Sequence, residues 1–267
     1  MKRNPLFSLF FCLSLSFSFL GCQVEAETQE SVPAEEVVQE APVPLVPSSY
    51  LLGRFEPAQD SLFVQLRNEH TAGSGRGAYL HKETYAAYIR MFEAAQKDGV
   101  SLIIKSATRN FWRQKAIWEG KWNGDRLVEG KNLAREVSDP VERARWILRY
   151  SSMPGTSRHH WGTDIDLNAF ENSYFSSGKG LKEYEWLQKH AATYGFCQTY
   201  TAKGPERPQG YEEEKWHWSY LPVSVPYLKA YEAQITADSI RGFAGAESAA
   251  GLEVIKNYVG GINLACK

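Results

Sequence analysis

Between Ser157 and Asn168 the chain reads SRHHWGTDIDLN, which places two of its six histidines and two aspartates within a dozen residues. The second half alternates: Thr163, Ile165 and Leu167 fall on one face of an extended strand, and Asp164, Asp166 and Asn168 on the other. An unpaired ionised carboxylate is costly to desolvate, so such a strand fits only where its acidic face meets solvent or a cation. His159 stands seven residues before Asp166, so a loop entering the strand can bring imidazole and carboxylate to one metal. Zinc accepts nitrogen and oxygen donors of this kind and needs one or two more.

A further donor lies downstream in EEEKWHWSY, where Glu214 and His217 are three residues apart. Strict strand alternation would send them to opposite faces, so a shared site demands a bend between them, as at a loop-to-strand entry. Two histidines and one aspartate leave a coordination position open, as catalytic zinc sites do, and a carboxylate outside the ligand set is then the natural general base.

The rest of the chain divides by composition. Lys2 and Arg3 precede an apolar run from Leu6 to Leu20, which reads as a signal segment over residues 1–21. The run ends in FLGC, which resembles a lipoprotein signal-peptidase site and would make Cys22 the lipidated first residue of the mature protein; a plain secretory signal is the alternative, and both imply export. Residues 22–49 are a tether: from Gln23 to Ser49 there are six glutamates, four prolines and neither glycine nor basic residues, a stretch that stays extended because it cannot bury enough apolar surface to order itself. The folded part is expected over 50–232. Within it KETYAAYIRMFEAAQKDG has helical apolar spacing and stops at Gly99, VSLIIKSATR reads as a short buried strand, and FWRQKAIWEGKW, Pro140 to Tyr150 and Leu181 to Tyr194 read as further helices. Residues 233–267 form a largely helical extension, interrupted by glycines, that is expected to pack on the domain. Lys and Arg never run longer than a pair and the formal net charge is −1, so the footprint of a nucleic-acid-binding protein is absent.

The motifs resemble those of the zinc D-alanyl-D-alanine carboxypeptidases, the VanY-type enzymes of the LAS group. SRHHWGTDID matches the pattern Ser-x-His-x-x-Gly-x-Ala-x-Asp, EKWH matches Glu-x-Trp-His, and SATRNFWRQ resembles the family's Ser-x-x-Arg segment with a glutamine five residues on. The resemblance implies an α+β fold, shared with the hedgehog signalling domain, in which a small antiparallel sheet is packed by helices and carries one zinc ion in a cleft. It implies that His159, Asp166 and His217 hold the zinc, that Glu214 is the general base, and that Arg109 grips the terminal carboxylate of a peptidoglycan stem peptide, with Gln114 and Ser157 also at the substrate. The departure is Asp164, where the family pattern has Ala; an extra carboxylate there would disturb the charge of the site or hydrogen-bond a ligand histidine.

Several alternatives stay open at this point. His160 is the rival ligand to His159, and His70, His81 and His190 have no partner spacing. Trp216 and Trp218 read as core or cleft wall. The same metal site would serve an L,D-carboxypeptidase, a D,D-dipeptidase or a crosslink endopeptidase, and a non-catalytic wall-binding lipoprotein is a reading from a different class. Cys197 and Cys266 are the cysteines left after export and lipidation, and an oxidising compartment would let them pair. The sequence leaves the oligomeric state open.

Overall fold

The computed structural model describes residues 45–267. The signal segment, Cys22 and most of the tether lie outside the described residues. In chain order the elements are α1 (Ser48–Leu51), β1 (Phe63–Gln65), β2 (Tyr79–His81), α2 (Lys82–Lys97), β3 (Ile104–Ser106), α3 (Phe111–Trp122), α4 (Leu133–Glu136), α5 (Pro140–Ile147), β4 (Asp164–Leu167), α6 (Gly178–His190), β5 (Phe196–Gln198), β6 (His217–Tyr220), α7 (Leu221–Gln234) and α8 (Ser248–Gly251). Strands β1 and β2 pair as a two-stranded antiparallel ribbon, and a four-stranded antiparallel sheet has the order β3-β4-β6-β5. This is the expected α+β arrangement of a small antiparallel sheet with helices around it.

Local chemistry sets the helix ends. In α2, Tyr85, Tyr88, Phe92 and Ala95 make the buried face that their spacing predicts, with Met91 buried beside them and Ile89 only half-buried; His81 Nδ1 accepts from the backbone N–H of Glu83, and Gly99 follows at φ +72°. Asn110 caps α3 by accepting from Arg113 N–H at 2.9 Å, and Asp139 with Pro140 starts α5. The apolar run before Ser106 shortens to a three-residue strand, with Leu102 buried ahead of it.

Two apolar cores meet at the motif segment. Trp161 belongs to the core built from α1, α3, α5, α7 and the C-terminal residues, while Ile165 and Leu167 belong to the one that includes α2, α6 and the larger sheet. Gly162 makes the turn between them at φ +72°; a Cβ there would lie 2.4 Å from the Phe63 ring, so both the backbone and the space require glycine.

Both terminal segments join the packing. The packed chain begins within the expected tether: Val46 is buried, the Tyr50 hydroxyl donates to Trp161 O at 3.0 Å, and Trp161 Nε1 donates to Leu51 O at 3.1 Å. At the other end, α7 runs through position 233, and Ile235, Ile240, Phe243, Val254, Val259 and Ile262 enter the same core as Trp118 and Trp161. The C-terminal residues are therefore part of the core, in short turns rather than long helices, because a core position rewards apolar burial whatever the local backbone.

Cys197 in β5 and Cys266 form a disulfide with Cα atoms 5.7 Å apart, closing a loop of sequence separation 69. Reduction of a loop this long is expected to remove about 4 kcal/mol of stability in the chain-entropy treatment. Urea unfolding with and without dithiothreitol measures it, and unchanged midpoints would mean that the tail holds by packing alone.

Candidate functional site

Strands β4 and β6 pair so that Asp166 lies opposite His217, and Asp166 also faces Ser106 of β3. His159 enters from the turn Arg158–Trp161 that precedes β4. The chain turns at Lys215 and Trp216 between Glu214 and the start of β6, which is the bend their spacing demands. Glu214 Oε2 thereby lies 3.2 Å from His217 Nδ1.

One donor atom each from His159, Asp166 and His217 lies within 4.8 Å of the others, and all three residues are buried. His159 Nε2 is 3.3 Å from Asp166 Oδ2, and His217 Nδ1 is 3.2 Å from Asp166 Oδ1. Donors at zinc–ligand distance from a tetrahedral ion stand about 3.3–3.5 Å from one another; each histidine meets an Asp166 oxygen at about that spacing, and the nitrogen and oxygen donor types suit zinc. Tautomers agree. His159 Nδ1 donates to Ala107 O at 2.9 Å, which leaves Nε2 bare, buried and without a hydrogen-bond partner; Asp166 Oδ1 is unpartnered too. His217 donates from Nε2 to Asp164, which leaves Nδ1 toward the cluster.

His160 is occupied at both nitrogens: Nδ1 donates to Arg109 O at 2.6 Å and Nε2 accepts from Gly155 N–H at 3.0 Å. Burial pushes its pKa down to about 3, so it is a neutral brace. It also fixes Arg109, whose backbone N–H donates to His159 O at 3.1 Å. The Arg109 guanidinium donates to Ser106 Oγ at 3.1 Å and lies 3.7 Å from Asp166 Oδ2, beside the cluster.

Asp164 is fully buried and accepts from four donors. Arg158 Nε and His217 Nε2 reach Oδ2 at 3.2 and 2.8 Å, and the Thr163 and Ser219 hydroxyls reach Oδ1 at 2.6 and 2.8 Å. Arg158 Nη2 also donates to Ser219 Oγ at 2.9 Å. Burial alone would raise the Asp164 carboxyl, but Arg158 and His217 outweigh it and hold it well below the usual range. The acidic face of β4 is thus not solvated: one carboxylate turns to the cluster and the other to an arginine and the far nitrogen of His217. Glu214, by contrast, is pushed up by burial, with His217 pulling the other way.

A cleft of about 260 Å³ opens over these groups. Ser157 lines it with an unpartnered, buried hydroxyl, and the Arg158 Nη1 and Arg109 Nε groups are likewise buried without partners. Gln114 does not line it; its Nε2 donates to Ser152 O at 2.8 Å and so shapes the wall through Ser152. Trp216 lines the cleft as well. Tyr200, Tyr211, Tyr150, Phe170, Ser152 and Lys121 complete the walls. None of these six carries a motif signal, since each arrives through tertiary packing from a segment that reads as ordinary loop or helix. His70 hydrogen-bonds the Tyr85 hydroxyl and His81 caps α2, both remote in role from the cluster.

Residues 77–223, more than half of the chain, match the family model described as VanY: D-alanyl-D-alanine carboxypeptidase. YodJ of Bacillus subtilis (strain 168) is 32% identical over 148 residues, covering 54% of this chain and 46% of that protein. A D-alanyl-D-alanine carboxypeptidase of Enterococcus faecalis (strain ATCC 700802 / V583) is 29% identical over 137 residues, covering 51% and 46%. The chain spans about half the length of these curated relatives. Among solved structures, VanYB in complex with D-alanine-D-alanine aligns with a TM-score of 0.46 at 24% identity, over 66% of this chain and 87% of that one.

Proposed function

The chain belongs to the VanY D-alanyl-D-alanine carboxypeptidase family, and from that premise we propose that it is an exported, zinc-dependent carboxypeptidase that removes the terminal D-Ala from peptidoglycan stem peptides. The observation that carries this reading is the buried set of His159 Nε2, Asp166 and His217 Nδ1, with Glu214 against it and Arg109 beside it. His159, Asp166 and His217 would hold the ion, which when bound supplies Lewis acidity at the scissile carbonyl.

The chain's own groups do the rest. Glu214 accepts a proton from the attacking water and delivers it to the leaving amine; its raised pKa brings it nearer to neutrality, where a carboxylate both takes and returns a proton. Arg109, anchored through His159 O, His160 and Ser106, binds the terminal carboxylate so that the last peptide bond lies over the cluster. A cleft of about 260 Å³ suits the end of a peptide rather than a folded partner. Export rests on the signal-like segment before Cys22 together with the Cys197–Cys266 disulfide, and a lipid on Cys22 would tether the domain to a membrane facing the wall. Retention of Glu214 and Arg109 favours catalysis over a purely wall-binding role.

The test is release of D-alanine from purified muropeptides, tetrapeptide and pentapeptide in parallel. Release is expected from the pentapeptide, lost to a chelator and restored by zinc. Release from the tetrapeptide instead would assign the L,D bond, and no release from either with zinc bound would remove the carboxypeptidase reading.

A further inference from the structure

The cleft holds a cation that the carboxypeptidase chemistry above does not use. Lys121 lies in the last turn of α3, whereas Arg109 precedes the first, so their backbones stand at opposite ends of a helix of 12 residues, about 18 Å long. Both side chains nevertheless line the same cleft. They come to different walls: Arg109 is tied to Ser106 of β3 and lies beside Asp166, while Lys121 Nζ donates to Ser151 Oγ at 2.5 Å, on the segment after α5 that also supplies Tyr150 and Ser152.

An ammonium has three donors, and among the described residues Lys121 makes one hydrogen bond and no ion pair. Burial lowers its pKa and Arg109 adds to that, with Glu214 opposing. Holding the Ser151 segment needs only a neutral donor, so a partly desolvated charge there is a cost unless something anionic meets it. The acids lining the cleft, Asp166 and Glu214, are engaged at the metal cluster, and the terminal carboxylate of the substrate goes to Arg109.

Building on the carboxypeptidase reading, we propose that Lys121 forms a second anion subsite of the cleft, which takes a free carboxylate on the residue preceding the D-Ala-D-Ala end of the substrate. The preferred stem peptide is then one whose preceding residue is a diacid, such as a diamino dicarboxylic acid, rather than a neutral or amidated one. Lys121 is a specificity determinant, and it leaves the chemical step to Glu214.

The experiment uses two N-acetyl tripeptides ending in D-Ala-D-Ala, one beginning with 2-aminopimelate and the other with its side-chain carboxamide. Their binding is measured by titration calorimetry on the zinc-loaded full chain carrying Glu214→Ala, which binds without cutting. A charge-assisted hydrogen bond in a desolvated site is worth about tenfold or more, so the carboxylate peptide is expected to bind at least about tenfold tighter. Adding Lys121→Gln should reduce that preference below about twofold without weakening the carboxamide peptide, and Lys121→Arg should keep it. Equal weakening of both peptides by Lys121→Gln would overturn the subsite and assign Lys121 to the terminal carboxylate. No preference in the parent chain, or no binding of either peptide, would overturn it without recourse to any Lys121 variant. The carboxypeptidase reading is judged apart: if the chain with Glu214 intact cuts neither peptide while the preference persists, that reading fails and the subsite stands.

Discussion

Glu214→Gln is expected to lower kcat for D-alanine release by about 10²–10⁴-fold, the range that a positioned general base supplies, equivalent to about 3–5 kcal/mol of transition-state stabilisation. The amide keeps the size of the side chain and its contact with His217, but it cannot accept and return a proton. The separation that matters is between chemistry and assembly. Zinc content, the thermal midpoint and KM for the same peptide should stay near those of the parent, because Glu214 lies against the donor set while His159, Asp166 and His217 make it up. A variant that lost zinc along with activity would instead place Glu214 among the ligands. One that kept a tenth or more of the activity would move the base elsewhere.

The second large effect is on stability. Arg158→Met leaves Asp164 ionised, fully buried and without its guanidinium partner, and breaking a buried pair from one side costs about 3–5 kcal/mol. Combining it with Asp164→Ala removes both charges, and the double variant should recover more than half of the loss. Metal affinity should behave differently. Asp164 accepts the Nε2 proton of His217 and so fixes which nitrogen faces the cluster. Carboxylates in that position are worth about 10–100-fold in affinity, so Asp164→Ala and the double variant should both bind zinc about 10–100-fold more weakly. Urea unfolding gives the first quantity and chelator competition the second. Additive stabilities would show that the two charges act independently, and undiminished zinc affinity would show that Asp164 does not orient His217.

The contrast between Asp166 and Asp164 shows how far the sequence reaches. The donors were legible because spacing carries them: His159 and Asp166 flank one strand entry, Glu214 and His217 flank another, and the bend between the latter pair followed from alternation once a shared site was assumed. Asp164 had the same visible alternation, yet its fate depends on Arg158 folding back from the preceding turn and on Ser219 arriving from β6, a pairing that no spacing announces. Lys121 is harder still. In FWRQKAIWEGKW it looks like any lysine near a helix end, and only the approach of Ser151 from beyond α5 shows that it is partly buried. The packing of the terminal segments was hard to read for a related reason. Val46 and the C-terminal apolar residues have weak local patterns, and they are ordered by core positions created elsewhere in the chain.

The Arg158–Asp164 pair also bears on descent. Each residue makes the other tolerable, so a lineage that loses either one first passes through a protein with an orphaned charge at its centre. The two positions are therefore coupled, and a small apolar residue in place of Asp164 is tolerable only when the guanidinium of Arg158 is replaced with it.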